Sequence, residues 1–455
     1  MKKLGIFLPF MINSILLSQE IMTEYVVENG DTLDVFSYQI PENYDGNTEV
    51  PLLVAFHQWG GTQNSNYFTQ FDEECNARGW IMMSPFGGSS NNYNHQGAQY
   101  YTQQAIIWMM NNYTIDADRV YMVGGSMGGA GGAIFASNHL DPELPMVAAT
   151  ASGSGILDCE RRYWEMDGNN SMIQWFGGTP EEVPFEYHRN SAVFFMDSTQ
   201  SMHYNLQHIP LYLDFGADEP HRYHAEDLYN LLLGYNPNMW IETEPGTGHG
   251  YVVMDEEHVC DWLSDFTVIR DPGTVNVALD EPSRAYWCKA VDQNISTDFI
   301  RLKADRLTTT EFTVNQYQNS DSLIIFPTDL SSGSLTLNLM ESNEISVAFE
   351  LNEDVQISSV QLDNQPYDNW DFQPPILWIN RTDAGTYVID FSEGQIEDVN
   401  GDGVWNVLDI VLTVNFITGM MIPDEYQQTA ADLNDDGVIN VLDIVMMVNL
   451  ITGQG

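Results

Sequence analysis

The run Val120-Tyr121-Met122-Val123 passes directly into Gly124-Gly125-Ser126-Met127-Gly128, and that into Gly129-Ala130-Gly131-Gly132-Ala133-Ile134-Phe135-Ala136. An apolar strand, a tight turn with serine at its apex and a small-residue helix follow one another without a spacer. A serine in such a turn is held in a strained backbone conformation, so the positions two residues to either side cannot carry bulk. Glycine at 124 and 128 meets that demand. The turn lifts the hydroxyl clear of a sheet, where a base can reach it, which is the context of a nucleophile elbow. The competing reading is a glycine-rich strand-to-helix turn with an incidental serine.

Two downstream segments favour the nucleophile. Leu211-Tyr212-Leu213-Asp214-Phe215-Gly216-Ala217-Asp218 is an apolar strand ending in Gly-x-Asp, and Gly246-Thr247-Gly248-His249-Gly250 is a glycine-rich loop after Met239-Trp240-Ile241. Serine, acid and histidine thus occur in that order, each after a strand-like run, and loops beyond the carboxyl ends of strands in an open sheet converge on one crevice. Ser126, Asp218 and His249 are the expected triad: His249 takes the serine proton and Asp218 orients the imidazole. Asp214, Glu219 and Asp197 are rival acids; His221, His224 and His258 are rival bases. A third element is the buried-strand run Pro51-Leu52-Leu53-Val54-Ala55-Phe56, followed by His57-Gln58-Trp59-Gly60-Gly61-Thr62. The amide of Met127, with that of Gln58 or Trp59, is the expected oxyanion hole, and His57 is read as a residue that shapes the loop.

With these pieces in place, residues from about 30 to 268 resemble the secreted α/β hydrolases of the polyhydroxybutyrate depolymerase, feruloyl esterase and acetylxylan esterase group. The resemblance rests on Pro51 to His57, on Arg78-Gly79-Trp80-Ile81-Met82-Met83-Ser84-Pro85, and on Tyr113-Thr114-Ile115-Asp116-Ala117-Asp118-Arg119-Val120-Tyr121 leading into Gly124 to Gly129. The Gly216-Ala217-Asp218 and Gly248-His249 endings complete it. Gln58 departs from the pattern, since the group usually has glycine after the histidine.

The last segment is an internal repeat. Asp398-Val399-Asn400-Gly401-Asp402-Gly403-Val404-Trp405-Asn406-Val407-Leu408-Asp409 returns 34 residues later as Asp432-Leu433-Asn434-Asp435-Asp436-Gly437-Val438-Ile439-Asn440-Val441-Leu442-Asp443. Each copy is a calcium loop with side-chain oxygens at positions 1, 3, 5, 9 and 12, glycine at 6 and a backbone carbonyl at 7. The expected ligands are Asp398, Asn400, Asp402, Val404, Asn406 and Asp409, and Asp432, Asn434, Asp436, Val438, Asn440 and Asp443. An apolar helix follows each loop, Ile410 to Ile417 and Ile444 to Ile451. Loop plus helix, duplicated, resembles a type I dockerin, which implies two structural calcium ions and a cohesin-like or cell-surface partner. The recognition positions before the last ligand, often hydroxyl-bearing in that family, are here Val407-Leu408 and Val441-Leu442.

Between these modules, about 274 to 392, short alternating runs such as Leu335-Thr336-Leu337-Asn338-Leu339 suggest a β-sandwich. The chain's 455 residues are too many for one ordinary domain. The expected order is a signal peptide (1–19, with charged Lys2-Lys3 before an apolar stretch), an α/β-hydrolase domain (20–270), a β-sandwich-like accessory domain (274–392) and a small helical dockerin-like module (396–455). Aromatics over 155 to 205 mark an insertion that either caps the crevice or packs a core. With 15 basic against 65 acidic residues the net charge is −50, which makes nucleic acid and anionic membrane surfaces poor partners. No later stretch is long and apolar enough to cross a bilayer. Cys75, Cys159, Cys260 and Cys288 allow three full pairings in an oxidising compartment, or buried thiols. The expected function is a secreted serine esterase removing feruloyl or acetyl groups from a xylan-type polymer, without a catalytic cofactor. A polyhydroxyalkanoate depolymerase or a general carboxylesterase or peptidase is the alternative, and a non-catalytic adhesion protein the most distant one.

Overall fold

The computed structural model describes residues 20–168, 171–328, 333–341, 344–352, 355–393, 398–402, 404–434 and 436–451. The expected signal peptide lies outside them. The chain divides into two compact units, Met1–Ile269 and Arg270–Gly455.

The first unit is built on eight strands: β1 (Met22–Glu28), β2 (Asp31–Gln39), β3 (Val50–Phe56), β4 (Ile81–Pro85), β5 (Ile115–Gly125), β6 (Ala149–Gly153), β7 (Leu211–Gly216) and β8 (Met239–Glu244). They pair in the order β1-β2-β4-β3-β5-β6-β7-β8. β2 runs antiparallel to both its neighbours and the other pairings are parallel. Central strands read as unbroken apolar runs because helices cover both faces. On one face Val54, Met83, Val120, Met122 and Leu213 pack with helices α2 (Gln96–Asn112) and α3 (Met127–Asn138). On the other, Leu53, Ala55, Tyr121 and Tyr212 pack with α1 (Phe71–Arg78) and the later helix Glu256–Ser264. The His95 ring caps α2 by accepting from Gly97 N at 3.1 Å.

Residues between β6 and β7 form short helices α4 (Cys159–Glu165), α5 (Met172–Phe176) and α6 (Pro184–Arg189). Tyr163, Phe176 and Tyr187 close a satellite cluster that includes Met127. Most aromatics of this insertion are therefore packing residues, although Trp164 is 49% exposed. Helices α7 (Tyr223–Leu232) and α8 (Glu256–Ser264) complete the unit.

The second unit contains β9 (Thr274–Leu279), β10 (Arg284–Ala285), β11 (Cys288–Ala290), β12 (Ile300–Thr308), β13 (Glu311–Gln318), β14 (Ser322–Ile325), β15 (Gly333–Leu339), β16 (Ser346–Glu350), β17 (Val355–Leu362), β18 (Gln365–Pro366), β19 (Trp370–Gln373), β20 (Ile376–Ile379) and β21 (Gly385–Glu393). They make a six-stranded sheet, β10-β11-β14-β16-β20-β19, and a seven-stranded one, β18-β17-β21-β15-β13-β12-β9. The Phe312 ring of one meets the Phe349 ring of the other at 6.1 Å, which places the apolar faces against each other. Helices α9 (Val407–Ile417), α10 (Glu425–Ala431) and α11 (Val441–Ile451) follow, around Val399, Phe416, Ala430, Ala431 and Met447. α9 and α11 begin three residues before the apolar run because their loops cap them: Asn406 Oδ1 accepts from Leu408 N at 2.8 Å, and Asn440 Oδ1 from Leu442 N at 2.9 Å. The four cysteines are buried free thiols.

Candidate active site and calcium loops

β5 ends at Gly125, and Ser126 takes φ 57° and ψ −121° before α3 begins. That region costs a non-glycine residue on the order of 1–3 kcal/mol. Its surroundings impose it: Ser126 N donates to Gly153 O at 2.8 Å and Ser126 O accepts from Ile156 N at 3.2 Å. A Cβ on Gly124 would lie 2.0 Å from Gly128 O, and one on Gly128 would lie 2.4 Å from Phe56 O. The glycines are thus required by backbone-to-backbone contact.

His249 follows β8 and presents Nε2 to Ser126 Oγ at 2.7 Å, while its Nδ1 lies 2.6 Å from Glu219 Oε2. An ionised carboxylate only accepts, so Nδ1 carries the proton and Nε2 is left to receive that of the serine. The carboxylate is not Asp218. After β7 the chain turns with Ala217 N on Glu244 O, Asp218 N on Gly246 O and Glu219 N on Gly216 O. This turn sends Asp218 into solvent and Glu219 inward, where it is 1% exposed. The expected acid is displaced by one residue, onto a rival the sequence had offered. Of the others, Asp214 is buried beneath the site, and burial with the charges of Glu242, Glu244 and Glu219 pushes its carboxyl up to about 7.

Met127 opens α3, and Gln58 and Trp59 lie in the loop after β3. The His57 ring holds that loop, with Nδ1 at 2.9 Å from Gln58 O and Nε2 at 2.9 Å from Phe86 O. Gly61 N also donates to Gln58 O, at 2.8 Å. Among the described residues no protein acceptor engages the amides of Gln58 and Met127. A Cβ on Gly128 would also lie 2.7 Å from His57 O, so the loop abuts the start of α3. Trp59 is 59% exposed, and Tyr251 is buried with its hydroxyl on Phe56 O at 2.8 Å, a packing role.

One group at the site was not singled out from sequence. The Arg162 guanidinium lies 2.9 Å from His221 Nε2, and the His221 ring is 5.6 Å from that of His249. Glu165 accepts from His221 at 3.1 Å and lies 3.4 Å from His224 Nε2 and 3.5 Å from Arg162; burial raises its carboxyl, but the hydrogen bonds and charges of His221 and His224 hold it well below the usual range. Nothing in a linear reading joins residues 162, 165 and 221; only His221 carried a signal, as a rival base.

In the C-terminal loops Asp409 accepts from Asn400 N at 3.1 Å and Asn406 N at 2.8 Å, and Asp443 from Asn434 N at 3.4 Å and Asn440 N at 2.8 Å. Asp398 accepts from Gly401 N, Asp432 from Gly437 N, Asp402 from Val404 N and Asp436 from Val438 N. Gly437, at position 6, has φ +81°. Gly403, its counterpart, is outside the described residues. Among the described residues no three carboxylate, imidazole or thiol groups lie close enough to clasp an ion unaided. The donor set of such a loop is mixed, with amide and backbone carbonyl oxygens completing it. The residues fit calcium on other grounds: Asp398, Asp409 and Asp443 are fully buried, every candidate donor is an oxygen, and no lysine or arginine follows Arg381. Buried carboxylates without a basic side chain call for a cation.

Sheet order, one antiparallel strand second in the sheet, and serine, acid and histidine after β5, β7 and β8 are the marks of the α/β-hydrolase fold. Comparison with known proteins adds relatives. Residues 396–452 match the Dockerin type I domain family. The bifunctional acetylxylan esterase/xylanase XynS20E of Neocallimastix patriciarum is 31% identical over 268 residues, which is 54% of this chain and 35% of the relative. The chain thus spans about a third of the length of that curated relative. Among solved structures, an S-formylglutathione hydrolase from Agrobacterium tumefaciens is 12% identical over 54% of this chain and 94% of its own, with a TM-score of 0.42. A ferulic acid esterase is 16% identical over 54% and 96%, with a TM-score of 0.40. The resemblances to acetylxylan esterases and to type I dockerins read from the sequence therefore stand. Among the described residues no helix is long and apolar enough to cross a membrane.

Proposed function

We propose that this chain is a secreted serine esterase that removes acyl groups, acetyl or feruloyl, from a xylan-type polysaccharide. The observation that carries the reading is the relay Glu219–His249–Ser126, with contacts of 2.6 and 2.7 Å. His249 takes the Ser126 proton as Oγ attacks the ester carbonyl. The amides of Met127 and Gln58 receive the oxyanion, each contributing a few kcal/mol to lowering the barrier. Collapse expels the sugar hydroxyl, protonated by His249, and leaves an acyl-serine. Water, deprotonated by the same imidazole, then releases the carboxylic acid and restores Ser126. Glu219 keeps the ring in the productive tautomer and stabilises its cationic form. No cofactor enters this chemistry.

The XynS20E relative supports the choice of polymer. In the same reading, the two loops hold one calcium each and the C-terminal module docks on a cohesin-like partner outside the cell. The exposed Val407, Leu408, Val441 and Leu442 supply its apolar contact. The test compares p-nitrophenyl acetate, methyl ferulate and a hydroxybutyrate oligomer, with wild type and Ser126→Ala. Activity that vanishes with Ser126 and favours acetate or ferulate is the expected result. Preference for the hydroxybutyrate oligomer would reassign the substrate, and folded protein inert on all three would refute the esterase.

A further inference from the structure

The second unit carries a cleft that the esterase reading does not use. In the six-stranded sheet Leu323, Val347, Phe349, Leu377 and Ile379 face inward and are at most 1% exposed. Alternation along the strands puts Ser322, Ser346, Trp378 and Asn380 on the opposite, outward face. Ala348 pairs with Trp378, which pairs with Asp371; Ser322 pairs with Ser346 one row away. Small side chains beside the indole leave a shallow, open cleft of about 320 Å³ lined by Ser322, Ser346, Asp371, Trp378 and Asn380, the form of surface along which an extended chain, rather than a small enclosed ligand, can lie.

The backbone of this cleft is tied down. Asn380 N donates to Asn369 O at 2.9 Å, Asn380 O accepts from Tyr367 Oη at 2.7 Å and Asn369 Nδ2 at 2.8 Å, and Ser346 N donates to Asp321 O at 2.8 Å. The side chains are not consumed in the same way. Among the described residues, no protein group takes up the Trp378 indole N–H or the Asn380 carboxamide, while Asp371 accepts only a 3.3 Å contact from Gln373. The cleft thus offers a π face, an N–H donor, a carboxamide and a carboxylate on a backbone that is held in place. It has no basic lining residue and belongs to a chain of net charge −50, so an anion is disfavoured. Its lining is too polar to reward an aliphatic ligand. A ligand that meets a ring with C–H groups and a carboxylate and carboxamide with hydroxyls is a neutral sugar.

We propose that this outward face of the six-stranded sheet binds a neutral saccharide chain, stacked on Trp378 and hydrogen-bonded by Asp371 and Asn380. The proposal does not rest on the esterase reading. The test is calorimetric titration of the full chain carrying Ser126→Ala with xylohexaose and with cellohexaose. Adding Trp378→Ala is expected to weaken binding at least about tenfold, the scale of one lost aromatic stack. In the chain with Ser126 intact, Trp378→Ala is expected to leave p-nitrophenyl acetate turnover unchanged. The double variant Asp371→Asn, Asn380→Ala, which leaves the ring in place, repeats the test should Trp378→Ala disturb folding. Binding of neither oligosaccharide, or binding unaltered by both variants, overturns the proposal.

Discussion

Glu219 and Asp218 are adjacent in sequence and opposite in environment, one buried on the His249 ring and one in solvent. A carboxylate matters to the relay only where it meets Nδ1. Glu219→Gln, which keeps the shape and removes the charge, is expected to lower kcat roughly 10³–10⁴-fold with KM little changed. Asp218→Asn should leave turnover near wild type, and steady-state kinetics on p-nitrophenyl acetate distinguishes the two. Chain order and strand ends located this acid to within one position. The last position was decided by three backbone hydrogen bonds of the turn after β7, which have no signature in residue type. Asp214 supports a second prediction at this scale. Burial first, then Glu242 and Glu244 on β8 and Glu219 after β7, raise its pKa from 3.8 to about 7. A carboxyl raised on folding stabilises the fold while protonated, so its contribution is complete below about pH 4 and is lost as pH rises through 7. Asp214→Asn should flatten that decline, read as Tm from pH 4 to 8, and an unchanged slope would refute the assignment.

At the scale of elements, the elbow is where local sequence and packing coincide. Gly124→Ala forces a Cβ into Gly128 O, where neither backbone can yield without moving the start of α3. We expect it to cost roughly 3 kcal/mol or more, at the upper end for overpacking, together with loss of activity; denaturant unfolding measures the first. Were Gly124→Ala as stable as wild type, the close approach would be wrong. The elbow was legible because its steric rule acts between near neighbours. The duplicated C-terminal loops were legible for a related reason, since twelve consecutive residues carry the whole proposed donor set and a second copy repeats it. The six- and seven-stranded sheets were less so. Alternation marks β15 and β16 as strands, but their parallel pairing with β13 and β14 joins alternate rather than consecutive strands. Such register depends on which apolar faces meet, as Phe312 meets Phe349. The Arg162–His221–Glu165 group was illegible on the same grounds, assembled from α4 and the loop after Glu219.

At the scale of the molecule, charge and calcium are one problem. Each C-terminal loop carries three of the aspartates proposed as ligands, 398, 402 and 409 or 432, 436 and 443, in a stretch without a lysine or arginine after Arg381. Asp409 and Asp443 are buried, and they brace the loops by accepting from Asn406 N and Asn440 N at 2.8 Å each. In the proposed reading the same residues hold the ion and start α9 and α11, which would make ion binding and folding of this region one event. The Ser126 relay draws on a different part of the chain, with its own core around β3, β5 and β7. Chelation with EDTA is accordingly expected to abolish an early calorimetric transition and the helical signal of α9 and α11, while p-nitrophenyl acetate turnover stays within about twofold of the untreated enzyme. Adding calcium back should restore the transition at a midpoint that rises with calcium concentration. Parallel loss of turnover and of the early transition would mean that the hydrolase unit depends on the calcium loops for its own stability, and would refute their separation.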